Sequence, residues 1–172
     1  MFIHKPSPAE LSDYYKTYLK YVPEDDLLSA LKEQQSTMQS FFNDVSPVKE
    51  SFRYADGKWM LKEVAGHLCD TERILSYRAL RIARNDKLPL HGFDENEYTL
   101  NANYGTRSLK NILEEIIAIR QVTILLFQNM NEEMLDRNGT ANNSEVSVRG
   151  LLFFIVAHAR HHMGVIQERY LK

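Results

Sequence analysis

His158 and His162 lie four residues apart near the end of the chain, and His67 lies far from them in sequence. On a helix, residues four apart stack one turn above the other, so both later rings reach the same point in space. His67 sits between Val64 and Ile74 on the inward seam of another periodic segment. Taken singly, each reads as a core histidine with a backbone or water partner. Together, with no carboxylate on the same seams, each would carry the roughly 1–3 kcal/mol penalty of a buried, unsatisfied polar group. A shared divalent metal removes that penalty, because each neutral imidazole donates a lone pair to it. Three protein ligands leave one coordination position open, as catalytic zinc sites do, whereas structural sites close with four. An open position activates water, lowering its pKa towards about 7, or holds a thiol as thiolate, a strong nucleophile at neutral pH. Ala159 stands where the H-E-x-x-H pattern places its glutamate, which argues against a metalloprotease of that type.

Several neighbours are candidates for a supporting part. His161 lies about 100° off the seam and reads as a surface or packing residue, or as a contact to substrate. Asp70, three residues after His67, is placed to orient a ligand or relay a proton, or to pair with Arg73 on the helix surface. Arg78, Arg81 and Arg84 recur every three residues and read as a solvated face paired with acids such as Glu114 or Glu115; an anionic substrate is the alternative. His91, Asp94, Glu95 and Tyr98 fall in a long connection that can close over an open metal position. Asp94 is the foremost of them as general base or fourth ligand. Gly66 and Gly164 break helical propensity beside the histidines, for close packing or for ligand room. Cys69 points to another face and reads as a small buried hydrophobe, and Trp59 as a packing anchor.

The elements that position these residues are helical. Apolar residues recur at three- and four-residue steps over about 24–45, 59–86, 108–130 and 148–170. The seams are Leu28, Leu31, Met38 and Phe42 with Gln35 among them; Met60, Val64, His67, Thr71 and Ile74; Leu109, Ile112, Ile116 and Thr123; and Leu151, Ile155, His158, His162 and Val165. All five prolines fall outside these segments, so nothing interrupts the helices. Four helices, each expected to exceed 20 residues, predict an all-α four-helix bundle. A short amphipathic helix at about 9–21 is expected to cross one end. The stretch 87–107 reads as a structureless connection between the second and third helices, long enough for a crossover and of a length that is often functional. Residues 138–145 are polar and turn-rich, and 145–148 are expected to be briefly extended.

The 172 residues fit one domain, 1–172. Twenty-one basic against 23 acidic residues give a net charge of −2, without the basic excess of a nucleic-acid binder. One cysteine excludes an intrachain disulfide and fits a reducing compartment. The first ten residues lack a signal-peptide pattern, and the longest apolar run, 151–157, is far too short to span a membrane. These features predict a cytoplasmic protein with neither nucleic-acid nor membrane partner, and the open metal position predicts a small-molecule substrate.

The segment Trp59-Met-Leu-Lys-Glu-Val-Ala-Gly-His67-Leu-Cys-Asp70-Thr-Glu72-Arg73, with His158-Ala-Arg-His161-His162, resembles the DinB-like superfamily. The resemblance implies a four-helix bundle with a long crossover and a three-histidine metal site whose ligands carry over to His67, His158 and His162. It further implies transfer or isomerisation chemistry that uses a low-molecular-weight thiol such as bacillithiol or mycothiol, and a homodimer. Three imidazoles suit zinc, nickel, copper and iron; zinc and nickel are the cofactors expected first. Metal-assisted hydrolysis and a non-catalytic, metal-stabilised binding module are the competing functions.

Overall fold

A computed structural model describes all residues, 1–172. Four long helices form a bundle: α2 (Leu27–Asn43), α3 (Leu61–Ala83), α5 (Leu109–Gln128) and α7 (Val148–Arg169). Three short helices accompany them: α1 (Asp13–Lys16), α4 (Glu95–Asn101) and α6 (Glu132–Leu135). The four expected long helices are all present, although α2 has 17 residues and α5 has 20, shorter than predicted. Side-chain caps set their starts: Asp26, Ser108 and Ser147 accept backbone N–H groups of the first turns of α2, α5 and α7.

Each of α3 and α2 packs against both α5 and α7, so the sequence neighbours α2 and α3 face each other across the bundle. Cys69 meets Ile112, Glu72 meets Arg120 and Ser76 meets Thr123. The two positions advance together, so α3 and α5 run parallel. The connection between them must therefore return along the bundle, which a short turn cannot do. It is not structureless: it carries α4 and a 3-10 turn at Tyr104–Thr106. By contrast, His67 meets His158 and His162 while Trp59 meets Tyr170, so α3 and α7 run antiparallel.

The segment 9–21 is not one amphipathic helix. It breaks into 3-10 turns at Pro8–Glu10 and Leu19–Tyr21 around the single turn α1. A helix that short is marginal by itself, and here the tyrosines dock separately on α7, with Tyr15 stacked on Phe154 at 4.3 Å and Tyr18 edge-on to the same ring. The extended stretch near 145 belongs to a hairpin, β1 (Asn138–Ala141) with β2 (Ser144–Ser147). Its two-residue turn, Asn142–Asn143, has both residues at positive φ, the mirror-image turn that matches strand twist and that asparagine tolerates. Leu90 of the long connection joins the edge of this hairpin through bonds to Thr140 and from Asn142.

Two apolar clusters fill the bundle, one around Leu31, Leu75, Ile124 and Leu152, the other around Met38, Leu68, Ile116 and Ile166. A polar layer separates them. The fully buried Arg120 donates to both oxygens of Glu72 and to Gln34 Oε1, and Gln34 Nε2 donates to the Val156 carbonyl at 2.9 Å. One network thus ties all four long helices. The buried glutamine of α2 is Gln34, not the expected Gln35, which is half-buried.

Candidate metal centre

The histidine trio forms where antiparallel α3 and α7 touch. His158 Nε2 lies 3.2 Å from His67 Nε2 and 3.0 Å from His162 Nε2, and one ligand atom from each ring falls within 4.8 Å of the others. Nitrogens bound tetrahedrally at about 2.1 Å would be about 3.4 Å apart, so the three rings need little adjustment to hold one cation. His67 and His158 are buried and His162 is half-buried. Burial lowers their pKa values, His67 to about 4, His162 to about 3 and His158 well below its usual range, with the other imidazoles adding to the shifts of His158 and His162. All three are neutral at pH 7, the form that binds metal. The donor set, three neutral nitrogens aimed at one another without a carboxylate between them, fits a divalent cation.

The trio forms one wall of a cavity of about 540 Å³. Trp59 lies against His67 with ring centres 5.0 Å apart, and Thr71 Oγ1 lies 3.4 Å from both nitrogens of that ring. Tyr14, Tyr15 and Tyr18 also line the cavity, with Phe93 from the long connection and Asn142 and Glu145 from the hairpin. The segments outside the bundle thus contribute to the cavity lining as well as to the apolar core, which takes in Leu90 and Ala141. His161 lines the cavity too, with its Nδ1 2.9 Å from the Tyr21 hydroxyl. Burial lowers the His161 pKa, with Lys20 adding to the shift.

The two candidate carboxylates are placed elsewhere. Asp94 caps α4, accepting from the Asn96 and Glu97 N–H groups, and is exposed outside the cavity lining. Asp70 accepts from the Tyr104 hydroxyl at 2.9 Å and also does not line the cavity; burial raises its pKa. Arg73 pairs with Glu115 instead of Asp70, and Arg107 shares that glutamate. Of the long connection's other candidates, Glu95 reaches the rim, whereas His91 and Tyr98 do not line the cavity.

Gly66 serves packing. A Cβ there would overlap the Tyr104 ring, which lies flat against α3 one residue before His67. At Gly164 a Cβ would meet nothing, so close packing does not explain it, and the residue does not line the cavity. Cys69 is buried against α5 with its thiol pKa raised by burial. The arginine stripe divides. Arg81 pairs with Asp86 and Arg84 lies near the Met134 sulfur, but Arg78 is buried and lines the cavity. Periodicity assigns all three to one solvated face; only the path of the long connection over α3 separates them.

A family model described as the DinB superfamily matches residues 30–166. No curated protein matches in sequence. Among solved structures, the chain is similar to YfiT from Bacillus subtilis, described as a probable metal-dependent hydrolase with an unusual four-helix bundle topology. That likeness has a TM-score of 0.76 and 17 % identity, over 96 % of this chain and 90 % of that one. A mycothiol-dependent maleylpyruvate isomerase gives a TM-score of 0.66 and 11 % identity, over 84 % of this chain and 59 % of that one. A DinB-like protein from Bacillus subtilis gives 0.58 and 17 %, over 83 % and 87 %. At these identities the likenesses establish the fold. No helix is long and apolar enough to cross a membrane.

Proposed function

The chain belongs to the DinB superfamily, and from that premise we propose a metal-dependent enzyme that transfers a small thiol onto an electrophilic substrate. The observation that carries the reading is the convergence of His67, His158 and His162 at one wall of an open cavity. A divalent cation held there would supply Lewis acidity, favouring the thiolate form of a thiol at neutral pH. The chain's own residues do the rest. The three imidazoles stay unprotonated at pH 7 because they are buried, and so remain available as ligands. Trp59 and Phe154 pack against His67 and His158 and reduce water access to those rings. His161, held by the Tyr21 hydroxyl at the cavity wall, is the side chain positioned to accept the thiol proton. The sulfur then forms a bond to the electrophilic carbon, and the leaving group departs with its electron pair.

Both kinds of described neighbour, a hydrolase and a thiol-dependent isomerase, are compatible with the fold. Thiol transfer is preferred because the cavity is large and aromatic-walled, with room for a second organic molecule beside the substrate. The test is to load the full chain with zinc or nickel and incubate it with small thiols and a chlorodinitrobenzene electrophile. Conjugate formation above the background rate that stops on chelation and in His67→Ala supports the reading. Metal-dependent cleavage of a nitrophenyl ester with no thiol requirement would replace it with hydrolysis.

A further inference from the structure

The chain has three buried arginines, and two are neutralised. Arg120 is held by Glu72, and Arg149 by Glu132 and Asp136. Arg78, only 7 % exposed, has no carboxylate. Its Nη2 donates to the His91 carbonyl at 2.7 Å, and its guanidinium carbon lies 6.0 Å from the centre of the Phe93 ring. Its Nε and Nη1 have no protein partner. No fully enclosed side-chain nitrogen or oxygen in the chain lacks a hydrogen bond, so these two donors retain open surface, and the cavity is the space that Arg78 lines. Tyr15, Leu75 and Phe154 line the same cavity, while the acids that reach it, Glu10, Glu95 and Glu145, are exposed. A guanidinium stays charged at any physiological pH, and burial without a counter-charge is costly. Burial lowers the Arg78 pKa, the direction expected of a cation short of negative charge.

Arg78 shares α3 with His67, eleven residues on, about 16 Å along the axis. Helical side chains lean towards the N-terminus, which brings the guanidinium back towards the histidines. We propose that Arg78 is the specificity-determining residue of the cavity and that it selects a small organic acid, whose carboxylate accepts from one of the two unpartnered donors, Nε or Nη1. The other end of the same molecule reaches the histidine trio. That second contact rests on the metal reading above; the carboxylate contact does not.

Two matched ligand pairs separate these claims. The zinc-loaded full chain is titrated calorimetrically with 6-mercaptohexanoate and 6-mercaptohexanamide. The metal-free chain is titrated by NMR with hexanoate and hexanamide. A charge-assisted bond predicts that each acid binds about tenfold or more tightly than its amide. In Arg78→Met the preference falls to parity, and in Arg78→Lys, which keeps the charge, part of it survives; circular dichroism shows whether each variant retains its helices. A preference lost in Arg78→Met in either metal state supports the proposal. Parity of acid and amide in both states, or a preference that persists in Arg78→Met, overturns it. If the zinc-loaded chain binds neither thiol while the metal-free chain prefers hexanoate, the anion site stands and thiol transfer fails.

Discussion

At the scale of single residues, the surroundings of His67 are fixed by its neighbour. Gly66 lets the Tyr104 ring lie on the α3 backbone, and the Tyr104 hydroxyl donates to Asp70 one turn further on. Gly66→Ala would raise helix propensity by about 1 kcal/mol, yet the added methyl overlaps a ring that has no free space. Overpacking of this kind costs about 1–3 kcal/mol, so the clash wins. Urea denaturation should show Gly66→Ala net destabilised, and the same substitution at Gly164, where the methyl meets nothing, neutral or stabilised. Tyr104→Phe keeps the packing and removes the bond to Asp70; its expected cost is about 0.5–1.5 kcal/mol.

At the scale of elements, the polar layer of Arg120, Glu72 and Gln34 joins four helices between two apolar clusters. Arg120→Met leaves Glu72 buried without its cation and should cost about 3–5 kcal/mol; the double variant Arg120→Met, Glu72→Leu should recover most of that loss. Equilibrium unfolding of the three proteins checks both statements. This layer also marks where sequence reading stops. The long helices were legible because their apolar steps repeat over many turns, and the histidine trio because two members share one helix face. Arg120 sits among Ile116, Ile119 and Thr123 with no local sign that it is buried. Its partner lies 48 positions away on α3. The broken segment before α2 and α4 inside the long connection were equally hidden, and of the hairpin only the turn-rich stretch 138–145 and a brief extension near 145 were legible. Their conformations follow from docking on the bundle and from asparagine turn geometry, neither of which leaves a hydrophobic period. Asp94 shows the converse: an acid in a long connection suggests catalysis, but the helix that begins at the next residue needs a cap, and capping is what it does.

At the scale of the whole molecule, the two apolar clusters that hold the bundle together do not include the histidine trio. Chelation should therefore lower the melting temperature while leaving unfolding cooperative, since a bound ion adds stability by preferring the folded state; collapse to an unfolded chain on chelation would mark a structural site. Acid acts through the same histidines. In the metal-free fold His67 titrates at about 4 and His162 at about 3, against about 6.5 for an unfolded imidazole. From about pH 6.5 downward the unfolded chain takes up protons that the folded chain refuses. Stability is thus full above that pH and declines as pH falls towards 4. Thermal melts of the metal-free protein from pH 7.5 to 4.5 should show this decline, and His162→Gln should flatten it.

The most direct measurement is metal stoichiometry. The 172-residue chain reconstituted with zinc or nickel and freed of loose ions is assayed by elemental analysis, alongside His67→Ala, His158→Ala and His162→Ala of verified helical content. The geometry predicts one tightly held ion per unaltered chain and loss of that ion in every variant. A chain that retains no stoichiometric metal, or folded variants that keep it, would contradict the assignment of these three histidines as the metal centre.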